Sequence, residues 1–301
     1  MADIAQSILN RLKMKARSSG KNYQLLLQLF CQEEFLRRLE CSDYKQNLIL
    51  KGGLLLYCIS GFQGRPTQDI DFLLKNLSNT EDSIFKVLEN IISTDAEDSV
   101  VKFELLRLEP IAEHREYNGI RAKLLARIKN TRTPFDVDMG VGDVIIPKPE
   151  IKTIPTQLDG FDSPSIYVYS LESTIAEKFD AIISRLELTS RIKDYFDIYY
   201  LAITYPFDGR KLQEAIFETF QNRGTSYDAT TLLEVSRFSE DPEMLTKWRH
   251  FTKTTLKTSI DFNEVIHVIV TFVAPAFDAI IHESEFLKEW KPESLSYEPY
   301  K

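Results

Sequence analysis

Cysteine is scarce in this chain of 301 residues: Cys31, Cys41 and Cys58 are the only three. An odd, low count without metal-ligand spacing excludes a disulfide framework and predicts reduced thiols in the cytoplasm. Histidine is nearly as thin, four residues with no two at helical ligand spacing, which argues against a zinc site. Positive charge is in deficit. With 37 Lys and Arg against 45 Asp and Glu the net charge is −8, which argues against a broad, non-specific grip on a nucleic-acid backbone but leaves room for a local basic patch. No long uncharged apolar run stands out, so no membrane span is expected. The opening "MADIAQSILNRLKMKARSSGKNYQ" lacks the apolar centre of a signal peptide and reads as an amphipathic helix. No repeat or low-complexity segment is present.

What is there is ordinary globular material, 43% hydrophobic and 27% charged, long enough for one large domain or two modest ones. The first stretch, to about Tyr44, has a helical period: Leu25, Leu29, Leu36 and Leu39 recur near helical spacing, with acids and bases on the other side. "LILKGGLLLYCI" breaks at a glycine pair before an apolar helix-like run. "DIDFLL" alternates as a half-buried strand does, and "NTEDSIFKVLENIIS" opens with a cap-like Asn79-Thr80 and continues as a helix. "VKFELLRLEPI", "YNGIRAKLLARIK" and "TPFDVDMGVGDVI" read as three further strands, the first two joined by a turn-rich stretch. Past Pro147 four prolines mark a connector with a short strand near "SIYVYS". From Leu171 the pattern is helical through "LESTIAEKFDAIISRLEL", "IKDYFDIYYLAI", "GRKLQEAIFETFQNR", "DPEMLTKWRHFTKTT" and "DFNEVIHVIVTFVAPAF". The expected fold is α/β, a mixed β-sheet flanked by helices over residues 1–160, followed by a mainly α-helical half over 161–301.

Side chains on a strand alternate in direction, so Asp69 and Asp71 share one face while Ile70 and Phe72 take the other. The same holds for Asp136 and Asp138 in "FDVDMGV". Neighbouring strands would aim three or four carboxylates at one spot, and such a cluster repels itself unless cations neutralise it. Mg²⁺, a hard ion that joins a few carboxylates to substrate phosphates, is the natural partner, with Mn²⁺ as the alternative ion. The plain alternative is a solvated strand face. The glycines Gly52 and Gly53 add weight to the metal reading, because a glycine turn lets backbone N–H groups approach a phosphate closely.

A glycine pair opening a helix, a short loop, then alternating acids on a strand resembles the nucleotidyltransferase β superfamily. In order, "LKGGLLL…GRPTQDIDFLL", "NGIRAKLLARIK…FDVDMGVGDVIIP", "LESTIAEKFDAIISR", "RIKDYFDIYYL" and "DPEMLTKWRHF" resemble the AbiEii/AbiGii toxin family, over about Phe30 to Pro275. The resemblance implies that Gly52 and Gly53 lie beside an incoming triphosphate, that Asp69 and Asp71 hold metal, and that Asp138 of "DMGVGD" is a third metal ligand or a base. It makes Lys178 of "AEKFDA" the catalytic lysine and Asp194 the acid of a fourth motif, with Asp197 a close rival. The second glycine is often serine in the superfamily, so a hydroxyl on phosphate is missing here. Arg65 and Thr67, just before the acid pair, are candidates for the substrate phosphates, or in the case of Arg65 for pinning the loop. Read without the family, Lys178 is a snorkelling residue on a largely apolar helix face, and Asp194 belongs to a salt-bridged helix start with Arg191 and Lys193.

The implied function is a Mg-dependent transfer of a nucleoside monophosphate from a nucleoside triphosphate to an acceptor, the tRNA 3′ end, by the toxin of a toxin–antitoxin or abortive-infection system. A cognate antitoxin is the implied protein partner, and the helical half is expected to complete the site. Arg121, Lys123, Arg127 and Lys129 fall on one face of a strand, either to track an RNA backbone or to guard a sheet edge. Other readings are a degenerate transferase kept for binding, a transferase with a protein acceptor, and a DXD-type glycosyltransferase, which would lack the glycine pair and the lysine helix.

Overall fold

The computed structural model describes residues 3–94, 99–111, 119–184 and 191–300. The expected turn-rich stretch at residues 112–118 and the end of the "AIISRLEL" helix beyond residue 184 lie outside the described residues. The chain forms two compact units, one of residues 1–142 and 149–169, the other of 143–148 and 170–301.

The first unit is a mixed seven-stranded sheet with helices. In chain order its elements are α1 (Ile4–Ser19), α2 (Tyr23–Cys41), β1 (Leu48–Lys51), α3 (Gly52–Ile59), β2 (Ile70–Leu74), α4 (Glu81–Ser93), β3 (Lys102–Ile111), β4 (Gly119–Ile128), β5 (Thr131–Gly140), β6 (Glu150–Thr153) and β7 (Ser165–Val168). The strand order is β3-β4-β5-β2-β1-β7-β6. β2 runs parallel to β5 and β1 parallel to β7, while the remaining pairs are antiparallel. Side-chain caps start the helices: Thr80, within the cap-like Asn79-Thr80, accepts from the N–H of Ser83, and Asn22 from those of Gln24 and Leu25. Strand β6, preceded by two prolines and short, was not evident from the pattern.

Helix α2 differs from the expected amphipathic helix. It is buried nearly all round, Glu33, Glu34, Arg37 and Arg38 included. Its charged side is closed by its own ion pairs, with Arg37 Nε 2.9 Å and Arg38 Nε 3.2 Å from Glu34. Arg38 also donates to Val101 O at 2.7 Å and lies 4.8 Å over the Phe103 ring. Paired in this way, charged groups are tolerated in a core.

The second unit is helical: α5 (Leu171–Ile183), α6 (Ile192–Thr204), α7 (Gly209–Arg223), α8 (Thr231–Arg237), α9 (Pro242–Phe251) and α10 (Phe262–Ile281). A small sheet of β8 (Phe207–Asp208), β9 (Lys288–Lys291) and β10 (Ser296–Pro299), in the order β10-β9-β8, was not anticipated. Trp290 anchors it: fully buried, it donates its indole N–H to Ala202 O at 2.7 Å and meets the Phe272 ring at 5.0 Å. Helix α10 is long and apolar enough to cross a membrane by length and composition, which the reading of the sequence overlooked. Half of its apolar window is buried within the protein, and Val265, Ile269, Phe272, Val273 and Ala276 lie in the core of this unit.

Candidate active site

In the first unit the acidic face grows from the strand order. The β2–β5 register sets Asp71 beside Asp138, and the β4–β5 register sets Arg121 beside Asp138 and Lys123 beside Asp136. Paired residues on adjacent strands share a face, so Asp71, Asp136, Asp138, Arg121 and Lys123 all project to one side. Asp69, one residue before β2, joins them by alternation. The opposite faces of β2 and β5 carry Ile70, Phe72, Phe135, Val137 and Met139, all buried. This is why two carboxylates sit inside an apolar stretch: the strand is core on one side and site on the other. Asp69 is held above the ordinary carboxylate range, first by burial and then by the charges of Asp71 and Asp138, with Arg121 opposing.

The glycine pair is built into the same place. Gly52 has a left-handed φ of +67°, and a Cβ there would come within 2.2 Å of the Asp71 carboxylate. Only glycine lets the chain turn against that carboxylate. A Cβ on Gly53 would meet Thr67 Oγ1 at 2.8 Å and Arg65 Nη1 at 3.4 Å. The loop of Arg65 and Thr67 therefore folds back over the second glycine and fills the space a serine side chain would take. The hydroxyl missing from the motif has a neighbour in Thr67, and Arg65 is itself buried.

Two residues that the sequence did not single out position the acid pair. Gln28 and Gln32, one turn apart on α2, both donate their side-chain amides to the carbonyl of Gln68, at 2.5 and 2.7 Å. That carbonyl belongs to the peptide immediately before Asp69. Both glutamines are buried, where amide groups are costly unless bonded, so the clamp accounts for polar residues in a helix core.

The basic stripe takes another form than expected. β4 lies inside the sheet, between β3 and β5, so it is no edge strand. Two of its cations are paired with acids of β3, Lys123 at 3.6 Å from Glu109 and Arg127 at 3.0 Å from Glu104, while Lys129, one residue past the strand, meets Asp3 at the start of α1. Arg121 is bound to the acidic face itself. Its Nε and Nη2 donate to the two oxygens of Asp138 at 2.7 and 2.6 Å, and Nη1 lies 3.7 Å from Asp136.

The second unit holds the other predicted residues. Lys178 on α5 is neither snorkelling nor apolar in its surroundings. Its ammonium lies 2.8 Å from Asp194 and 2.7 Å from Asp197, both on α6 and both almost fully buried. Arg191 Nε adds a contact of 2.9 Å to Asp194, the helix-start pair expected from the spacing, while Lys193 is exposed. Asp194 and Asp197 are thus equal partners of one lysine. A second buried ion cluster lies nearby in sequence: Arg223 on α7 reaches Asp143 at 2.7 Å, Glu177 at 3.3 Å and Asp180 at 3.1 Å.

The acidic face is where a divalent ion could be held. Among the described residues no three His, Cys, Asp or Glu side chains converge as a metal cage. The two oxygens of Asp138 are engaged by Arg121, while Asp71 lies beside the glycine turn and across the ladder from Lys51, with Asp69 one residue before the strand. Two carboxylates completed by substrate phosphates is the usual provision for Mg²⁺.

Among solved structures the chain is similar to a protein from H. pylori described as a candidate nucleotidyltransferase, with 14% identity and a TM-score of 0.50 over 88% of this chain and 100% of that one. It is also similar to JHP933 from Helicobacter pylori, with 16% identity and a TM-score of 0.51 over 87% of this chain and 97% of that one. At such identities the likeness establishes the fold alone. No curated protein sequence matches the chain. The model of the family described as nucleotidyl transferase AbiEii toxin, type IV TA system, matches residues 34–283, which contain the glycine turn, the acidic face and the Lys178 cluster. The chain therefore belongs to the AbiEii family of nucleotidyltransferase toxins, whose type IV toxin–antitoxin systems imply an antitoxin partner.

Proposed function

We propose that this chain transfers a nucleoside monophosphate from a nucleoside triphosphate to an RNA acceptor, the tRNA 3′ end, with release of pyrophosphate. The observation that carries the reading is the glycine turn packed against Asp71 on the face that Asp69 and Asp138 share. Backbone N–H groups at Gly52 and Gly53, the Thr67 hydroxyl and the Arg65 guanidinium are the chain's own groups for the triphosphate. Asp69 and Asp71 would hold Mg²⁺ or Mn²⁺, which supplies neutralising charge for the triphosphate and the leaving pyrophosphate. Transfer of this kind depends on positioning and electrostatics more than on covalent help from the protein, which suits a site built of clamped loops and fixed charges.

The RNA acceptor is supported by the family resemblance. The β4 cations lend it nothing, since each is matched by a carboxylate. A role for Lys178 in the same reaction also rests on the resemblance. The test is incubation with each labelled nucleoside triphosphate, Mg²⁺ and total tRNA, for wild type, Asp69→Asn and Asp71→Asn. Label is expected on RNA with wild type only. Label on a protein would turn the reading to a protein acceptor, and no label in any arm, with the fold intact, would favour a transferase domain kept for binding.

A further inference from the structure

We propose that Gln28 and Gln32 are positioning residues for the transfer reaction: between them they fix Asp69, the acid of the face that the strand ladder does not hold. The inference rests on the reading of Asp69 as an ion-holding carboxylate and deepens it, by assigning what keeps that carboxylate in place.

The four acids of the face are held in different ways. Asp136 and Asp138 lie within β5, opposite Lys123 and Arg121 of β4, and Asp71 lies within β2, between Lys51 of β1 and Asp138 of β5. The sheet fixes the backbone of all three. Asp69 precedes β2, whose ladder begins at Ile70, so its backbone belongs to the loop that carries Arg65 and Thr67. The last peptide of that loop joins Gln68 to Asp69, and its carbonyl is where α2 takes hold. Gln28 Nε2 donates to it at 2.5 Å and Gln32 Nε2 at 2.7 Å. A carbonyl oxygen has two lone pairs, and both are used here. Because the peptide is planar, two bonds on its oxygen fix the plane, and with it the direction in which the chain enters Asp69.

The grip is built into the core rather than laid over the loop. Gln32 is fully buried and Gln28 is 8% exposed, one turn apart on a helix whose positions around them include the buried Leu29, Phe35 and Leu36. The side-chain oxygen of Gln32 has no hydrogen-bond partner among the described residues, so this position gives up one bond to place its amide on Gln68. An apolar side chain would fill it without that penalty. Two polar groups kept in a core, both aimed at the carbonyl next to an ion-holding acid, act as the support that a fitted site needs behind its contacting groups. Two donors on one acceptor also make the clamp redundant, since either amide alone keeps the carbonyl bonded.

The experiment compares Gln28→Leu, Gln32→Leu and the double variant with wild type and with Leu29→Ala, a buried change on the same helix. Thermal melts, hydrogen exchange of the amides of residues 63–70, and Mn²⁺ titration with non-hydrolysable analogues of the four nucleoside triphosphates are the readouts, beside turnover. Each single variant should stay near wild type in loop exchange and Mn²⁺ affinity. The double variant should exchange the loop amides faster, bind Mn²⁺ more weakly, and lose ~100-fold in kcat, the scale of misplacing a reacting group by about 1 Å. Raised Mn²⁺ should restore part of the turnover. Leu29→Ala should lower the melting temperature while leaving loop exchange and Mn²⁺ affinity as in wild type. In an Asp69→Asn background the two glutamine changes should weaken Mn²⁺ binding no further, because they act through that acid. If the double variant folds poorly, Gln28→Leu with Gln32→Asn, whose shorter amide stops short of the carbonyl, supplies the same readouts. Unchanged loop exchange or unchanged Mn²⁺ affinity in the double variant would overturn the inference and spare the ion-holding reading. So would an added loss of affinity in the Asp69→Asn background. Mn²⁺ binding that survives both Asp69→Asn and Asp71→Asn would overturn the ion-holding reading and this inference with it, and since loop exchange needs no ion, the two failures are told apart.

Discussion

Replacing Lys178 by alanine should cost stability first. The structure puts its ammonium between two carboxylates, at 2.8 and 2.7 Å, with side-chain exposures of 12% for the lysine and 3% and 2% for Asp194 and Asp197. Removing the lysine takes the shared cation from two buried carboxylates one helical turn apart on α6, and Arg191, at 2.9 Å from Asp194, stays as one of the groups that answer them. Breaking a buried pair by deleting one member costs about 3–5 kcal/mol, because the orphaned charge keeps its desolvation penalty. Arg191 offsets part of that for Asp194, so the lower end, about 3 kcal/mol, is expected. In a chain of 301 residues that corresponds to a melting temperature lower by about 5 °C. Thermal melts in chelator-containing buffer measure it directly. Neutralising one of the two carboxylates as well should relieve much of that cost. Lys178→Met combined with Asp197→Asn should therefore recover more than half of the lost stability. Turnover measured well below both melting points then separates the roles: a lysine that also serves the reaction leaves the repaired double variant stable and inactive. A Lys178→Ala protein that melts within ~2 °C of wild type would refute the argument that the cluster is a charge-balanced core element.

Three further outcomes are expected. Gly52→Ala places a side chain at a left-handed φ of +67°, at a strain of about 1–2 kcal/mol, and drives the Asp71 carboxylate from its position. Nucleotide-dependent ion binding should fall with only a modest loss in melting temperature, and unchanged calorimetry would contradict the close approach. Gly53→Ser should lower activity despite restoring the commoner residue, since Thr67 Oγ1 lies 2.8 Å from the new Cβ, and a Thr67→Ala change in the same chain should restore part of it, because the Cβ of residue 67 stays 3.0 Å away. Steady-state rates of the single and double variants check the pair. Glu33, buried on α2, has its carboxyl pushed up to about 8 from an ordinary 4.5 by burial, against the opposing bond from the Gln157 N–H. The folded protein then holds a proton that the unfolded chain has released, so stability falls as pH rises from 4.5 to about 8. Glu33→Gln should leave the melting temperature nearly unchanged at pH near 4.5 and raise it above pH 8, and equal differences at both ends would show that Glu33 does not titrate in this range.

Most of the helices and the longer strands were legible because their signals are local. Asn22, Thr80, Ser170, Asp208 and Asp261 cap helices from adjacent positions, and alternation alone puts Asp69 with Asp71 and Asp136 with Asp138 on common faces. The short strands β1, β6, β8, β9 and β10 escaped because strands of two to four residues show no clear period. Which charges meet was beyond the sequence. Arg121 and its neighbours form a basic stripe along one strand, yet the strand order gives that stripe its carboxylates from β3 on one side and β5 on the other. Gln28 and Gln32 look like the polar side of an amphipathic helix until α2 is buried and their amides find the carbonyl before Asp69, 40 and 36 residues away in the chain. Lys178 reads as a snorkelling residue until α6 brings two acids to it. Periodicity and caps depend on neighbours within a turn, so the sequence determines them by itself. The partner of a buried charge depends on which elements pack side by side, and only the tertiary structure decides that.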